Sequence, residues 1–291
     1  MVDWSVYEDI LREMILPELN SQKTIKEYQE AVRVIRESYD TSSKVKVDYN
    51  IPINQKAYFL AYFPAYAFQM YDILAKIPRS YLNFLIEGEE IRATFVGVGP
   101  GSEFYGFYSF MKKHTRLNRP KVRIKFVERE NRWVSFINTQ ISKLNTFFDF
   151  SGAVIYSCDF SYCAKCLTQC KAFMSSPSIV FFQNFLNEDT LEDSGFIKGV
   201  GKIIQKVGSN SLLVFSETKY SNNRRLLQDL MKTLSSNYSG LEVISENLNY
   251  SREVRLPYEY RQEVLKVLDG SDRLIPRKNV KYYSLVLRKN G

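Results

Sequence analysis

Past Glu90 short β-rich runs alternate with helical ones, and this alternation constrains the fold more than any other feature of the chain. The strand-like runs are Ala93–Val98, Val122–Val127, Ala153–Tyr156, Ile179–Phe182, Leu212–Phe215, Leu241–Ile244 and Tyr282–Leu287. Helical periodicity fills 102–113, 130–147, 162–173, 191–207 and 222–237 between them. Strands that recur with helices between them must return in the same direction, so a mostly parallel sheet covered on both faces is expected. In a doubly wound sheet of this kind, ligands bind outside the carboxyl ends of the strands.

The residues before this alternation read differently. Val6, Ile10 and Met14, then Ile25, Tyr28, Val32 and Ile35, recur at helical spacing and predict two amphipathic helices broken near Pro17. Residues 40–55 read as a loop or short extended stretch. From Ala57 to Leu85 the chain is apolar and aromatic throughout, which predicts buried helices interrupted at Pro64 and Pro78. Its rings (Tyr58, Tyr62, Phe63, Tyr66, Phe68, Tyr71) fit helix-packing core better than a platform for stacking bases. We therefore divide the chain into a helical region, 1–90, that caps the site or orients a substrate, and a ligand-binding domain, 91–291.

The first strand of the alternating region runs directly into Gly97-Val98-Gly99-Pro100-Gly101, and a helix follows from Ser102-Glu103. Glycines are needed where a chain turns sharply and its backbone must lie against a ligand with no Cβ in the way. The next strand ends on Glu128, where a carboxylate can accept hydrogen bonds from both hydroxyls of a ribose. The third ends at Cys158-Asp159-Phe160, offering an acid and a ring to the amino group and face of an adenine. The fourth ends at Gln183-Asn184, polar groups at the mouth of the crevice.

With these motifs residues 90–290 resemble the class I S-adenosylmethionine-dependent methyltransferases. The resemblance implies a Rossmann-type, seven-stranded sheet with an antiparallel last strand, and S-adenosylmethionine as cofactor. It also implies that Gly97, Gly99 and Gly101, with Val98 between them, line the methionine and ribose side. Glu128, followed by Arg129, would hold the ribose, Asp159 and Phe160 would meet the adenine, and Gln183 and Asn184 would sit beside the departing methyl group. A dinucleotide site is the rival reading of the loop. It is disfavoured because dinucleotide loops space their glycines Gly-x-Gly-x-x-Gly and because Glu103 would repel a pyrophosphate. Methyl transfer from a sulfonium is a direct displacement, so no catalytic residue is assigned. The only histidine, His114, is expected at the surface.

Charge suggests a partner. Residues 1–90 hold ten Lys/Arg against fourteen Asp/Glu, and residues 91–291 hold thirty against eighteen. Such a field attracts polyanions. RNA is thus the expected methyl acceptor, held by Lys112, Lys113, Arg116 and Arg119, with a small molecule as the alternative and a non-catalytic scaffold as the third reading. Gln183-Asn184-Phe185-Leu186 departs from the Asp/Asn-Pro-Pro-aromatic motif of many enzymes that methylate base amino groups, which argues against that chemistry and leaves the acceptor atom open. All four cysteines fall in Cys158-x4-Cys163-x2-Cys166-x3-Cys170. That spacing is compatible with a zinc or an iron–sulfur cluster, with disulfides, or with small residues on a buried helix face. With no long apolar tract and no leader-like amino terminus, a cytoplasmic location with no membrane association is expected.

Overall fold

A computed structural model describes residues 2–39, 46–150, 152–157, 176–184, 194–219, 222–268 and 277–291. Helices α1 (Ser5–Met14) and α2 (Gln22–Ser38) come first, separated by a 3-10 turn at Leu16–Glu18 that contains Pro17. Ser21 caps α2 by accepting the Thr24 N–H at 3.2 Å. The apolar stretch that follows forms α3 (Pro52–Ala61) and α4 (Phe63–Leu74), with the break at Tyr62 because Pro64 is tolerated only in the first turn of the new helix. A short helix, α5 (Asn83–Ile86), leads into the sheet.

The sheet strands are β1 (Glu90–Val96), β2 (Lys121–Glu128), β3 (Val154–Ser157), β4 (Ile179–Gln183), β5 (Leu212–Thr218), β6 (Leu241–Glu253) and β7 (Asn279–Lys289). Their helices are α6 (Ser102–His114), α7 (Val134–Leu144), α8 (Ser194–Lys206), α9 (Asn223–Asn237) and α10 (Tyr258–Leu265). The spatial order is β3-β2-β1-β4-β5-β7-β6, and β7 alone runs antiparallel to its neighbours. The expected doubly wound, mostly parallel sheet is present. The chain moves outward from β1 through β2 to β3, then returns to the other side of β1 as β4. The order reverses between β1 and β4, and that is where a ligand crevice belongs.

Two expectations about strand ends need correction. The first strand stops at Val96 rather than Val98, because Gly97 already takes a left-handed φ of 66°. The strand expected at Leu241–Ile244 runs on to Glu253. Asn247 and Asn249 make that extension unlike a strand by propensity. It is carried instead by antiparallel pairing with β7 over Leu241–Glu253, interrupted by two register shifts.

One continuous hydrophobic core runs from Val2 to Val286, so the helices of the first ninety residues form a layer of the same body. Helix α6 is buried on all sides from Ser102 to Met111, between the sheet and α4. The α4–α6 crossing is close: a Cβ on Gly106 would stand 2.3 Å from the Ala67 carbonyl. Tyrosine hydroxyls tie the layers together. Tyr105 reaches the Asp3 carbonyl at 2.5 Å, and Tyr260 reaches the Leu60 carbonyl at 2.9 Å.

Candidate functional site

Register alone brings three of the sequence motifs to one edge of the sheet. Val96 lies opposite Val127 of β2 on one side and Phe182 of β4 on the other. Glu128 and Gln183 therefore flank the start of the glycine loop. The Gly97 N–H continues the ladder to the Val127 carbonyl at 2.8 Å, and a turn closes with the Gly101 N–H on Val98 at 2.9 Å. Gly97, Gly99 and Gly101 all have positive φ, at 66°, 51° and 86°. At Gly99 the backbone conformation is what demands glycine, since a Cβ there would meet nothing within 4 Å. At Gly101 the demand is also steric, because a Cβ would stand 2.6 Å from the Gln140 amide, which itself donates to the Pro100 carbonyl at 2.5 Å. Gln140 on α7 thus braces the loop, a role that sequence reading missed.

Glu128 is drawn onto this loop. One carboxylate oxygen accepts the Gly99 N–H at 2.6 Å and the other the Glu130 N–H at 2.9 Å. Val98 is buried, while Gly97 is exposed and Gly99 half-exposed, so the loop backbone is open on one side. Arg129 points outward and lies 3.8 Å from Glu130. Ser157 pairs with Glu128 in register. Asp159, Phe160, Cys158, Cys163, Cys166 and Cys170 lie outside the described residues, among which no His/Cys/Asp/Glu group able to hold a metal occurs.

The fourth-strand pair divides its tasks. Asn184, at φ 53°, turns back to β5, accepting the Thr218 N–H at 3.0 Å and its hydroxyl at 2.8 Å. Gln183 is buried and donates to the Tyr66 carbonyl of α4 at 3.0 Å, while its Oε1 has no hydrogen-bond partner. One turn along α4, Gln69 donates to Ser216 of β5. These two bonds hold α4 across the carboxyl ends of β4 and β5.

Glu103 is the residue whose setting was least foreseen. It is 3 % exposed in the first turn of α6. The Ser102 hydroxyl donates to its Oε2 at 3.1 Å, and its Oε1 has no partner. Burial raises its pKa to about 8 against the lowering effect of its own N–H and Ser102, and the nearby Glu128 raises it further. A signal existed in the sequence: Glu103 is the sole charge in the otherwise apolar run 102–111. A tyrosine-rich cluster packs against Trp133, five residues beyond Glu128. Tyr58 lies 5.4 Å from Tyr62, 5.7 Å from Tyr49 and 5.8 Å from Trp133, between ring centroids.

A seven-stranded sheet with only its last strand reversed, a left-handed glycine loop after β1 and an acid at the tip of β2 are what the resemblance implies. The fold is that of the class I methyltransferases. No protein-family model and no curated protein matches the chain. Among solved structures it is similar to a precorrin-6y C5,15-methyltransferase from Geobacter metallireducens, at 15 % identity over 72 % of this chain and 87 % of that one, with a TM-score of 0.41. It is also similar to the N-methyltransferase NodS from Bradyrhizobium japonicum, at 10 % identity over 76 % and 97 %, with a TM-score of 0.42. An arsenic(III) S-adenosylmethionine methyltransferase from Chlamydomonas reinhardtii matches at 12 % identity over 76 % and 73 %, with a TM-score of 0.41. The fold assignment rests on strand order and loop geometry.

The basic residues are not part of this edge. Lys112, Lys113, Arg116 and Arg119 are exposed at and beyond the far end of α6, whose 13 residues span about 20 Å. Lys112 is held by Asp3 at 2.6 Å, and Lys113 donates to the Tyr71 hydroxyl at 3.2 Å. His114, expected at the surface, is half-buried against Phe110 at 4.5 Å. Burial and the charges of Lys113 and Arg79 push its pKa down. No helix among the described residues is long and apolar enough to cross a membrane.

Proposed function

We propose that the chain is an S-adenosylmethionine-dependent methyltransferase whose acceptor is a small molecule enclosed beneath the N-terminal helices. The observation that carries this reading is the left-handed Gly97–Gly101 loop with the Glu128 carboxylate against the Gly99 N–H, at the point where strand order reverses. The residues fit the cofactor. The open space at Gly99 would admit a ligand against bare backbone, and an acid at the tip of β2, here Glu128, can accept hydrogen bonds from ribose hydroxyls. In this reading Gly97, Val98, Gly99 and Gly101 line the methionine and ribose side and Glu128 holds the ribose, with Arg129 at its rim. Asp159 and Phe160 take the adenine, and Gln183 and Asn184 border the methyl-transfer position. When bound, the cofactor supplies a methyl group activated by its sulfonium. The protein then has to align an acceptor and keep water away. Residues 1–90 would do both, because α4 is fastened over β4 and β5 by Gln183 and Gln69.

RNA, the acceptor expected from charge, is less well supported, since the four basic residues invoked for it stand about a helix length from the loop. The cysteine run would be a separate structural element beside the adenine side, holding zinc or an iron–sulfur cluster or simply packing. Metal analysis with an absorption spectrum on protein prepared without oxygen distinguishes these. The function itself is tested by calorimetric titration with S-adenosylhomocysteine. Binding in the micromolar range is expected, and Glu128→Ala should weaken it by about 1.5–3 kcal/mol. Equal affinity of variant and parent would remove Glu128 from the site. Absence of methyl turnover with any acceptor, despite tight binding, would favour a scaffold.

A further inference from the structure

At the end of the sheet away from the crevice, the connection from α6 to β2 forms a cleft with the end of α7. The cleft is open to solvent, has a volume of about 450 Å3 and is lined by Arg119, Ser142, Asn145 and Thr146. That volume lies within the range of small-molecule sites. Lys121 begins β2 and Glu128 ends it, so about 25 Å of strand separates the cleft from the glycine loop. The two are separate places on the molecule.

Arg119 has a φ of 53°, a left-handed conformation that is costly for a residue with a Cβ. The backbone after it is clamped: the Pro120 carbonyl accepts the Asp149 N–H at 3.0 Å, and the Asp149 carbonyl accepts the Val122 N–H at 2.9 Å. The Arg119 guanidinium nevertheless makes no hydrogen bond or ion pair among the described residues, nor do the side chains of Ser142, near the end of α7, and Asn145, just past it. Free carbonyls at a helix end repel anions, but the last ones here are occupied. The Thr146 hydroxyl donates to the Lys143 carbonyl at 3.4 Å, and the N–H groups of Phe147 and Phe148 both donate to that of Leu144. Glu13, the acid that reaches this part of α7, is paired with Lys143 at 2.5 Å. No carboxylate is among the residues that line the cleft.

What faces the cleft is therefore a guanidinium fork, a hydroxyl and a carboxamide, all able to donate. A cation finds no countercharge there, whereas a tetrahedral oxyanion meets the fork and two neutral donors. The recess also selects the kind of anion. A nucleic-acid backbone runs past a row of cations, while here one cation and two uncharged donors surround a pocket that suits a terminal group.

We propose that Arg119, Ser142 and Asn145 form a binding site for the phosphate of a small phosphomonoester, separate from the methyl-transfer crevice. Arg119 is one of the residues that charge alone assigns to RNA, and the cleft gives it a narrower task. The inference goes beyond the methyltransferase reading and does not depend on it.

Titration of the intact chain with glycerol 3-phosphate, followed through amide NMR shifts, tests the site. Saturable binding with a Kd of about 1 mM is expected for so small a ligand, and the same Kd with S-adenosylhomocysteine present. Arg119→Gly suits the left-handed backbone, so its loss of binding is not a loss of fold. It should weaken binding about tenfold, and Asn145→Ala about threefold. Arg116→Gln, outside the cleft, should leave the Kd unchanged. Absence of saturation in the parent, an unaltered Kd in Arg119→Gly, or displacement of the probe by S-adenosylhomocysteine each overturns the proposal. Equal losses in Arg116→Gln and Arg119→Gly would show a diffuse basic surface in its place. Dimethyl phosphate binding as tightly as glycerol 3-phosphate would make this a contact for a diester backbone, which also overturns it.

Discussion

Alternate residues of the central strands enter two cores of different character. Toward α1–α4, α6 and α7 point Phe95 of β1, Ile179 and Phe181 of β4, and Leu212 and Val214 of β5, into a core rich in tyrosine and phenylalanine. Toward α8 and α9 point Val96, Val180, Phe182, Leu213 and Phe215, into a smaller core that is mainly aliphatic, with Val200, Ile203, Leu227 and Leu230. The buried polar side chains near the loop, Glu103, Gln140, Gln69 and Gln183, belong to elements of the first face or reach toward it. The aliphatic face supports the sheet, whereas the aromatic face is the one that carries the proposed site. A well-packed side chain on the first should therefore matter to stability alone, and a polar one on the second should matter to both stability and binding.

The largest effect that would sharpen this contrast comes from Glu103. Its folded pKa, about 8, lies above the ordinary carboxylate value of 4.5, with burial as the main cause and Glu128 adding to it against its own N–H and Ser102. The native state therefore holds this proton more tightly than the unfolded chain does. The associated stability is present below about pH 4.5, falls as pH rises through the window to about 8, and is absent above it. Glu103→Gln should remove that fall, leaving the variant more stable than the parent at pH 9 by on the order of 4 kcal/mol. Parallel pH–stability curves for the two proteins, from urea melts, would show that the carboxyl is not held in this way.

On the other face, Leu230 of α9 is completely buried in the aliphatic core. Leu230→Ala should lower stability by about 2–5 kcal/mol through the lost apolar contacts and the cavity left behind. At a temperature where the variant is folded, its affinity for S-adenosylhomocysteine should match the parent's. A tenfold change in affinity would break the comparison, since the aliphatic face would then be shaping the site as well. A smaller effect, about 1–3 kcal/mol of stability, is expected from Gly106→Ala, which forces a methyl group against the Ala67 carbonyl where α4 crosses α6. Because α4 is fastened over the crevice, this variant should also weaken ligand binding.

The sheet could be read from sequence because parallel strands buried on both faces are short apolar runs separated by helices of regular period. The loop could be read because positive φ at Gly97, Gly99 and Gly101 requires glycine at fixed places. The extension of β6 to Glu253 could not, since it depends on pairing with β7, from Ser245 opposite Val286 to Glu253 opposite Asn279, residues distant along the chain. Nor could Glu103 be assigned from local pattern alone. Its carboxyl takes its character first from burial and then from Glu128, which lies far from it in sequence and meets it only in the fold. Of the aromatic rings at 57–85, Tyr62, Tyr66 and Tyr71 are buried, as helix-packing core requires. What periodicity does not reveal is that Tyr58, one turn earlier, turns its ring to Trp133 beside the loop.

The smallest expected effect concerns the basic end of α6, and it tests whether the far end of the aromatic face belongs to the site at all. Lys113, Arg116 and Arg119 are exposed, and about 20 Å of helix separates this end from the glycine loop. Lys112 is best left in place, because it pairs with Asp3 at 2.6 Å and its loss would disturb the anchoring of the amino-terminal segment. At physiological salt, screening acts over about 8 Å, so reversing three charges at this distance should change S-adenosylhomocysteine affinity by less than about twofold. The same Lys113→Glu, Arg116→Glu, Arg119→Glu variant should lose whatever salt-sensitive RNA retention the parent shows, since phosphate contacts supply such binding. With a small-molecule acceptor, methyl turnover should survive this change. Turnover that falls in step with RNA retention would instead make the helix end a substrate platform, and would return RNA to first place as the acceptor.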